Sequence, residues 1–241
     1  MPTYVLVHGA WHTGDLLEPT ASAIREKGHE VHAPTLAGNR PGDSKSIGLE
    51  AAIGSLVDFI EKADLSEVVL VGHSYGGIVI TGAADRIGSR IRRLVYWNAF
   101  VPNSGECLTD MVPPIYVGLF DEIAKASGDN SVVMPPPIWR EAFCNDASEA
   151  DAMKWYGMLN PHPYATFTDP ISLKQNPAEM TIGKSYLNFT EDAALPHSLP
   201  WHPRLSEKLG LFRLVQAPGS HEVCFSNPRL LAEKIIEAGR D

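Results

Sequence analysis

Cysteine is scarce in this chain: Cys107, Cys144 and Cys224 are the only three in 241 residues, and none stand at C-x-x-C spacing. An odd, scattered set excludes a disulfide framework and predicts a reducing, cytoplasmic location. Long apolar runs are missing too, since none approaches the roughly 18 residues that a bilayer span requires. Positive charge is in deficit. The formal net charge of -9 argues against nucleic acid or an anionic membrane as a partner, because phosphate binding needs a basic face. No internal repeat or low-complexity tract stands out. The chain passes from Met1-Pro2-Thr3 straight into an apolar strand, without the basic start and apolar stretch of a leader, so no secretion signal is expected.

What is present is apolar residues at 44% of the chain, enough to bury a large core in one domain with room for an insertion. Tyr4–Val7 reads as a buried strand, followed by the loop His8-Gly9-Ala10-Trp11. Helical periodicity over 16–27 stops at Gly28, and a second amphipathic helix covers 49–63 with Ile53, Leu56, Val57 and Ile60 on one face. Val31–Ala33, Glu67–Val71, Ile91–Trp97, Lys184–Phe189 and Leu211–Val215 read as further strands. Helices are expected after Gly77, over 203–209, and over 228–238. Residues 101–180 break this rhythm with Pro113-Pro114 and Pro135-Pro136-Pro137. They read as an inserted helical cap, with helical pieces near 139–143 and 148–159, on a core of 1–100 and 181–241. Strands alternating with helices predict an α/β fold, a mostly parallel sheet covered on both faces. Its working groups should lie on loops at the carboxyl ends of strands.

Gly72-His73-Ser74-Tyr75-Gly76 is the most informative run. It is a G-x-S-x-G pattern between a β-branched strand and an apolar helix, the setting in which a serine is held on a strained corner with its hydroxyl exposed. A serine hydroxyl needs a base to become nucleophilic. His221, in Pro218-Gly219-Ser220-His221-Glu222, follows the last strand and is the expected base. The acid that orients it should follow strand 184–189. Thr190-Glu191-Asp192 offers two neighbours. Asp192 is preferred for its Asp-x-x-apolar-Pro layout, with Glu191 the rival and Asp169, inside the cap, the outsider. Two backbone donors must meet the oxyanion. The N–H of Tyr75 is one, and the loop 8–11 supplies the other, Ala10 before Trp11.

Other residues receive plainer readings. His8 and His12 stand i, i+4 but on a loop, which argues against zinc. His29 and His32 flank a strand and are expected to face water. His73 props the turn. Cys224 has no base left to activate it. Trp139, Trp155, Tyr156 and Met158 are packing residues first, with Trp11, Trp139 and Trp155 the candidates for lining a substrate pocket.

The start Val5-Leu6-Val7-His8-Gly9-Ala10-Trp11-His12, the elbow at 72–77, and Phe189-Thr190-Glu191-Asp192-Ala193-Ala194-Leu195-Pro196 followed by Trp201 together resemble the α/β-hydrolases. They are similar above all to the branch holding plant hydroxynitrile lyases, plant methyl esterases and small bacterial esterases. The resemblance implies an α/β-hydrolase fold with Ser74, Asp192 and His221 as triad and Ala10 and Tyr75 as oxyanion donors. No cofactor and no metal are expected, the expected partner is a small-molecule substrate, and a homodimer is left open. The lyases of that branch carry a lysine after the histidine and a threonine in the first loop. Glu222 and Gly9 stand there instead, so hydrolysis is expected. The substrate implied is a small neutral ester or carbamate, such as carbendazim or a pyrethroid. A lyase, a cofactor-free dioxygenase or a slow hormone-type receptor on the same frame are the alternatives.

Overall fold

The computed structural model describes residues 2–241. Its centre is a six-stranded sheet of β1 (Thr3–Val7), β2 (Glu30–His32), β3 (Val68–His73), β4 (Ile91–Trp97), β7 (Gly183–Phe189) and β8 (Arg213–Ala217). The short β5 (Ser131–Val132) and β6 (His162–Pro163) pair antiparallel outside it. Sheet order is β2-β1-β3-β4-β7-β8, and every pair in it is parallel. Successive side chains of a strand leave on opposite faces, and along β1 and β3 both faces are dry. Val5, Val7, Val68 and Leu70 join one core cluster, while Tyr4, Leu6, Val69 and Val71 join the other. This is why the strands read as continuous β-branched runs rather than alternating ones.

Helices α1 (Glu18–Arg25) and α2 (Leu49–Lys62) follow the hydrophobic periodicity. The α2 stripe of Leu49, Ile53, Leu56 and Ile60 is buried, each side chain contributing about 2 kcal/mol of transfer free energy. Helix α3 (Gly76–Ile87) is buried almost all round, as its apolar sequence requires. The closing helix Pro228–Ala238 packs with α1 on the opposite face from α2 and α3.

The chain order reverses between β1 and β3. A crevice opens at such a switch point, at the carboxyl ends of the strands. The loop after β1 and the corner after β3 are therefore neighbours. Gly76 shows how close they come: a Cβ there would stand 2.8 Å from the carbonyl oxygens of both Val7 and His8.

Between β4 and β7 the chain differs from the periodicity reading in one large respect. Helix α4 (Pro114–Ser127) has 14 residues, where Pro113-Pro114 reads as a break. Proline at the first helical position lacks only an N–H that has no partner there anyway, so the same residues open a helix. A π-turn at Trp139–Phe143 and a helix at Glu149–Tyr156, capped by Ser148, occupy the expected places. The helix expected over 203–209 is reduced to the 3-10 turn Ser206–Leu209. Seven residues barely repay helix nucleation, and the Arg204 guanidinium instead ties Pro200, Leu199 and Met111 carbonyls together. The last strand lies two residues beyond its expected place, leaving Leu211 exposed. No helix among the described residues is long and apolar enough to cross a membrane.

Candidate active site

Ser74 follows β3 with φ of 52°, a left-handed conformation that costs a side chain about 1 kcal/mol. The surroundings hold it there. Its N–H donates to the Trp97 carbonyl at 3.3 Å, and its own carbonyl accepts from Gly77 at 3.0 Å and Phe100 at 3.1 Å. The side chain stands at the amino end of α3, where unpaired N–H groups favour developing negative charge.

His221 is 1% exposed and its Nδ1–H donates to Asp192 Oδ2 at 2.6 Å. The same oxygen accepts from Asn98 Nδ2 at 2.7 Å, and Asp192 Oδ1 accepts from the Ala194 N–H at 2.8 Å. Asn98 is itself held, its Oδ1 accepting from the Phe189 N–H at 2.6 Å. The acid loop and the histidine loop are joined where the Glu191 N–H donates to the Gly219 carbonyl. Of the three carboxylates considered, only Asp192 meets the imidazole. Glu191 is exposed, and Asp169 accepts the Leu49 N–H at 2.9 Å, at the start of α2. Rings enclose the imidazole. Trp201 stacks on it at 5.2 Å and 16°, Phe143 meets it edge-on at 4.9 Å, and His73 lies 4.6 Å away. The His73 Nε2–H donates to the His221 carbonyl at 3.0 Å, and its ring stacks on Trp97.

The loop after β1 is ordered by buried histidines. Leu36 N–H donates to His8 Nε2 at 3.0 Å, so the ring proton resides on Nδ1, which donates to the Gly9 carbonyl at 2.8 Å. In a trans peptide the N–H points opposite the C=O, so this bond turns the Ala10 N–H away from His8. The Trp11 N–H is taken by His162 Nδ1 at 3.4 Å. Among the described residues, the N–H groups of Ala10 and Tyr75 find no acceptor, and both residues line one cavity with Ser74 and His221. Ser74 Oγ and His221 Nε2 are not hydrogen-bonded to each other. Gly9 packs against the corner, since a Cβ there would stand 3.0 Å from His73 Nδ1 and 3.2 Å from Ser74 Cβ.

The cavity is narrow, with about 30 Å³ open to a water-sized molecule, and its walls are apolar. Trp11, Phe100, Tyr116, Phe120, Phe143 and Trp201 are among the lining residues, and no lysine or arginine is. Of the three tryptophans expected to line it, Trp11 alone does. Trp139 is fully buried with its Nε1–H given to the Ala152 carbonyl, and Trp155 stacks on Phe225, so both serve packing. His29 and His32 are half-buried rather than fully in water, His29 against Tyr4 and His32 against Phe59.

His12, Glu222 and Cys224 bring ligand-type atoms within 4.8 Å of one another. Both His12 nitrogens are spent as donors, to the Ala10 carbonyl and to Glu222 Oε2, which leaves no lone pair for a metal.

Burial lowers the pKa of His8 from 6.5 to about 4, and drives His73 and His162 down as well. A folded-state pKa below the unfolded one means that the unfolded chain takes up protons first as pH falls. Stability is therefore lost below pH 6.5. From His8 alone the loss reaches about 3 kcal/mol by pH 4. His12, raised by Glu222 against the opposing effect of burial, adds no slope in that window. Its contribution is whole below 6.5 and fades as pH rises through its raised value. Urea midpoints should fall steadily from pH 6.5 to pH 4. A midpoint flat over that range would contradict the neutral, buried histidines.

The sequence pattern of the alpha/beta hydrolase family matches residues 4–234. The carbendazim hydrolyzing esterase of Nocardioides sp. is 34% identical over 99% of this chain and 100% of that protein. The pyrethroid hydrolase of Sphingobium wenxiniae is 24% identical over 97% of this chain and 86% of that one. Among solved structures, an extracellular alpha/beta-hydrolase from a Paenibacillus species is 36% identical. It superimposes with a TM-score of 0.96 over 100% of both chains, and is described as sharing structural and functional homology with tobacco salicylic acid binding protein 2.

Proposed function

This chain belongs to the alpha/beta hydrolase family, and on that footing we propose that it is a serine esterase cleaving small neutral esters and carbamates through an acyl-enzyme. One arrangement supports the reading: His221, bonded to Asp192 at 2.6 Å, lines one cavity with Ser74 and with Ala10 and Tyr75, whose N–H groups are free of acceptors. Substrate entering that cavity brings its carbonyl over Ser74. His221 Nε2 takes the hydroxyl proton as Oγ bonds to the carbonyl carbon, and Asp192 steadies the imidazolium. The oxyanion rests between the Ala10 and Tyr75 amides. The tetrahedral species collapses, the leaving oxygen takes the proton from His221, and the alcohol departs. Water repeats the cycle on the acyl-enzyme. Residues 101–180 act as the cap, placing Leu108, Val112, Tyr116, Phe120, Phe143 and Phe167 around the reacting centre.

A carbamate carbonyl is less electrophilic than an ester carbonyl, so it depends more on the oxyanion donors. The similarity to the Nocardioides carbendazim hydrolyzing esterase supports an aryl methyl carbamate as a substrate. A lyase on this frame would need a cation in the cavity, and the lining holds none. The three cysteines are free, which supports a reducing compartment, although the Paenibacillus relative is extracellular.

The absence of a lining cation also sets a charge rule. Desolvating a carboxylate without a partner costs at least about 3 kcal/mol in such a site. An aryl ester carrying a carboxylate should have kcat/KM about 100-fold or more below that of its neutral isostere. The test is to assay purified protein with both, alongside an aryl methyl carbamate. No turnover of the neutral substrates would end the esterase reading, and equal turnover of the charged one would end the charge rule.

A further inference from the structure

His12 and Glu222 are 210 residues apart in sequence and meet at 3.0 Å, each 1% exposed. His12 Nδ1 donates to the Ala10 carbonyl at 2.6 Å while Nε2 donates to Glu222 Oε2. With both nitrogens donating, the ring is an imidazolium and the carboxylate opposite is its counter-ion. The Glu222 pKa is accordingly drawn down to about 2 by His12, against burial, which pushes it up. The Cys224 thiol leans on the same carboxylate oxygen, at 3.6 Å, and Phe225, Trp139 and His73 surround the His12 ring. Neither member of the pair lines the cavity. Glu222 is the residue after His221, and its N–H donates to the Ser220 hydroxyl and the Phe143 carbonyl. Stability does not explain the pair, since well-packed apolar residues in such a place usually do as well or better.

We propose that the His12–Glu222 ion pair is a clamp that ties the loop carrying Ala10 to the loop carrying His221, fixing the oxyanion donor relative to the proton acceptor. The two groups come from opposite ends of the chain, and among the described residues no other ion pair joins these loops. His8 fixes the peptide before Ala10, and His12 fixes the one after it. His12 and Glu222 are positioning residues that act through Ala10 and His221. The inference rests on the esterase reading above.

A p-nitrophenyl alkylphosphonate probes the arrangement without a choice of substrate. The serine oxygen bonds to phosphorus, p-nitrophenolate leaves with the bonding pair, the serine proton passes to His221, and the phosphoryl oxygen occupies the oxyanion position. The wild-type protein should be labelled at Ser74. His12→Leu and Glu222→Leu should be labelled about 30-fold more slowly, with ester KM nearly unchanged and kcat lowered. Glu222→Gln, which can donate to the bare Nε2 of a neutral His12, should recover most of the rate. The double variant His12→Leu/Glu222→Leu leaves no unpaired charge at that site, so its melting temperature should return toward wild type while its labelling stays slow. It carries the test if the single variants fail to fold. Labelling of the double variant or of His12→Leu at the wild-type rate overturns the clamp alone. A wild-type protein not labelled at Ser74 overturns the esterase reading and the clamp together.

Discussion

Ser74→Ala is expected to lower kcat toward a p-nitrophenyl ester by about 10⁶-fold, leaving only the residual rate that bound donors supply. No other side chain can take over. Cys224 is buried outside the cavity, and burial followed by the Glu222 charge pushes its thiol pKa well up, away from the thiolate. Cys144 is buried too and is likewise raised, first by burial. The fold should survive the change. The elbow is held by backbone bonds to Trp97, Gly77 and Phe100, and alanine meets the left-handed φ at much the same cost as serine. A melting temperature within a few degrees of wild type would accompany the loss. More than a tenth of the wild-type rate in that variant would remove Ser74 from the mechanism.

Asp192→Asn should cost about 10⁴-fold in kcat at neutral pH. The carboxylate is acceptor-only and its oxygens face three donors: the His221 ring, the Asn98 amide and the Ala194 N–H. An asparagine offers one oxygen and one NH₂ group. If the oxygen takes the Oδ2 position, His221 keeps its tautomer, the NH₂ confronts the Ala194 N–H, and the imidazolium loses its counter-charge. If the amide flips, its NH₂ meets both Asn98 and His221, and the ring must move its proton to Nε2, the atom that has to accept from Ser74. Either orientation disables the base. The measurement is kcat on the same ester, normalised to the concentration of phosphonate-titrated sites. A loss below tenfold would show that Asp192 does not support the imidazole.

Much of this architecture is legible in the sequence. The strand and helix periods placed β1, β4, α2 and the closing helix within a residue or two, because each buries a face whose spacing is written locally. Helix α4 is not legible there because a proline pair carries two meanings, a stop inside a helix and a start at its first turn, and only the packing of Phe120 and Ala124 decides between them. Residue type gives Trp139 and Trp155 two readings, packing first and pocket lining second, and only the packed cap, which turns both away from the cavity, decides for the first.

The local sequence sufficed for groups whose place depends on near neighbours. The corner at Ser74 follows from glycines within two residues of it, and the places of Asp192 and His221 follow from the strands that end just before them. The partnerships were decided by tertiary structure. Asn98 reaches Asp192 across 94 positions, His12 reaches Glu222 across 210, and Trp201 lies flat on His221. A hydrogen bond or an ion pair forms between whichever groups the packed loops bring within about 3 Å. That proximity is a property of how the whole chain closes, and no short window of residues encodes it.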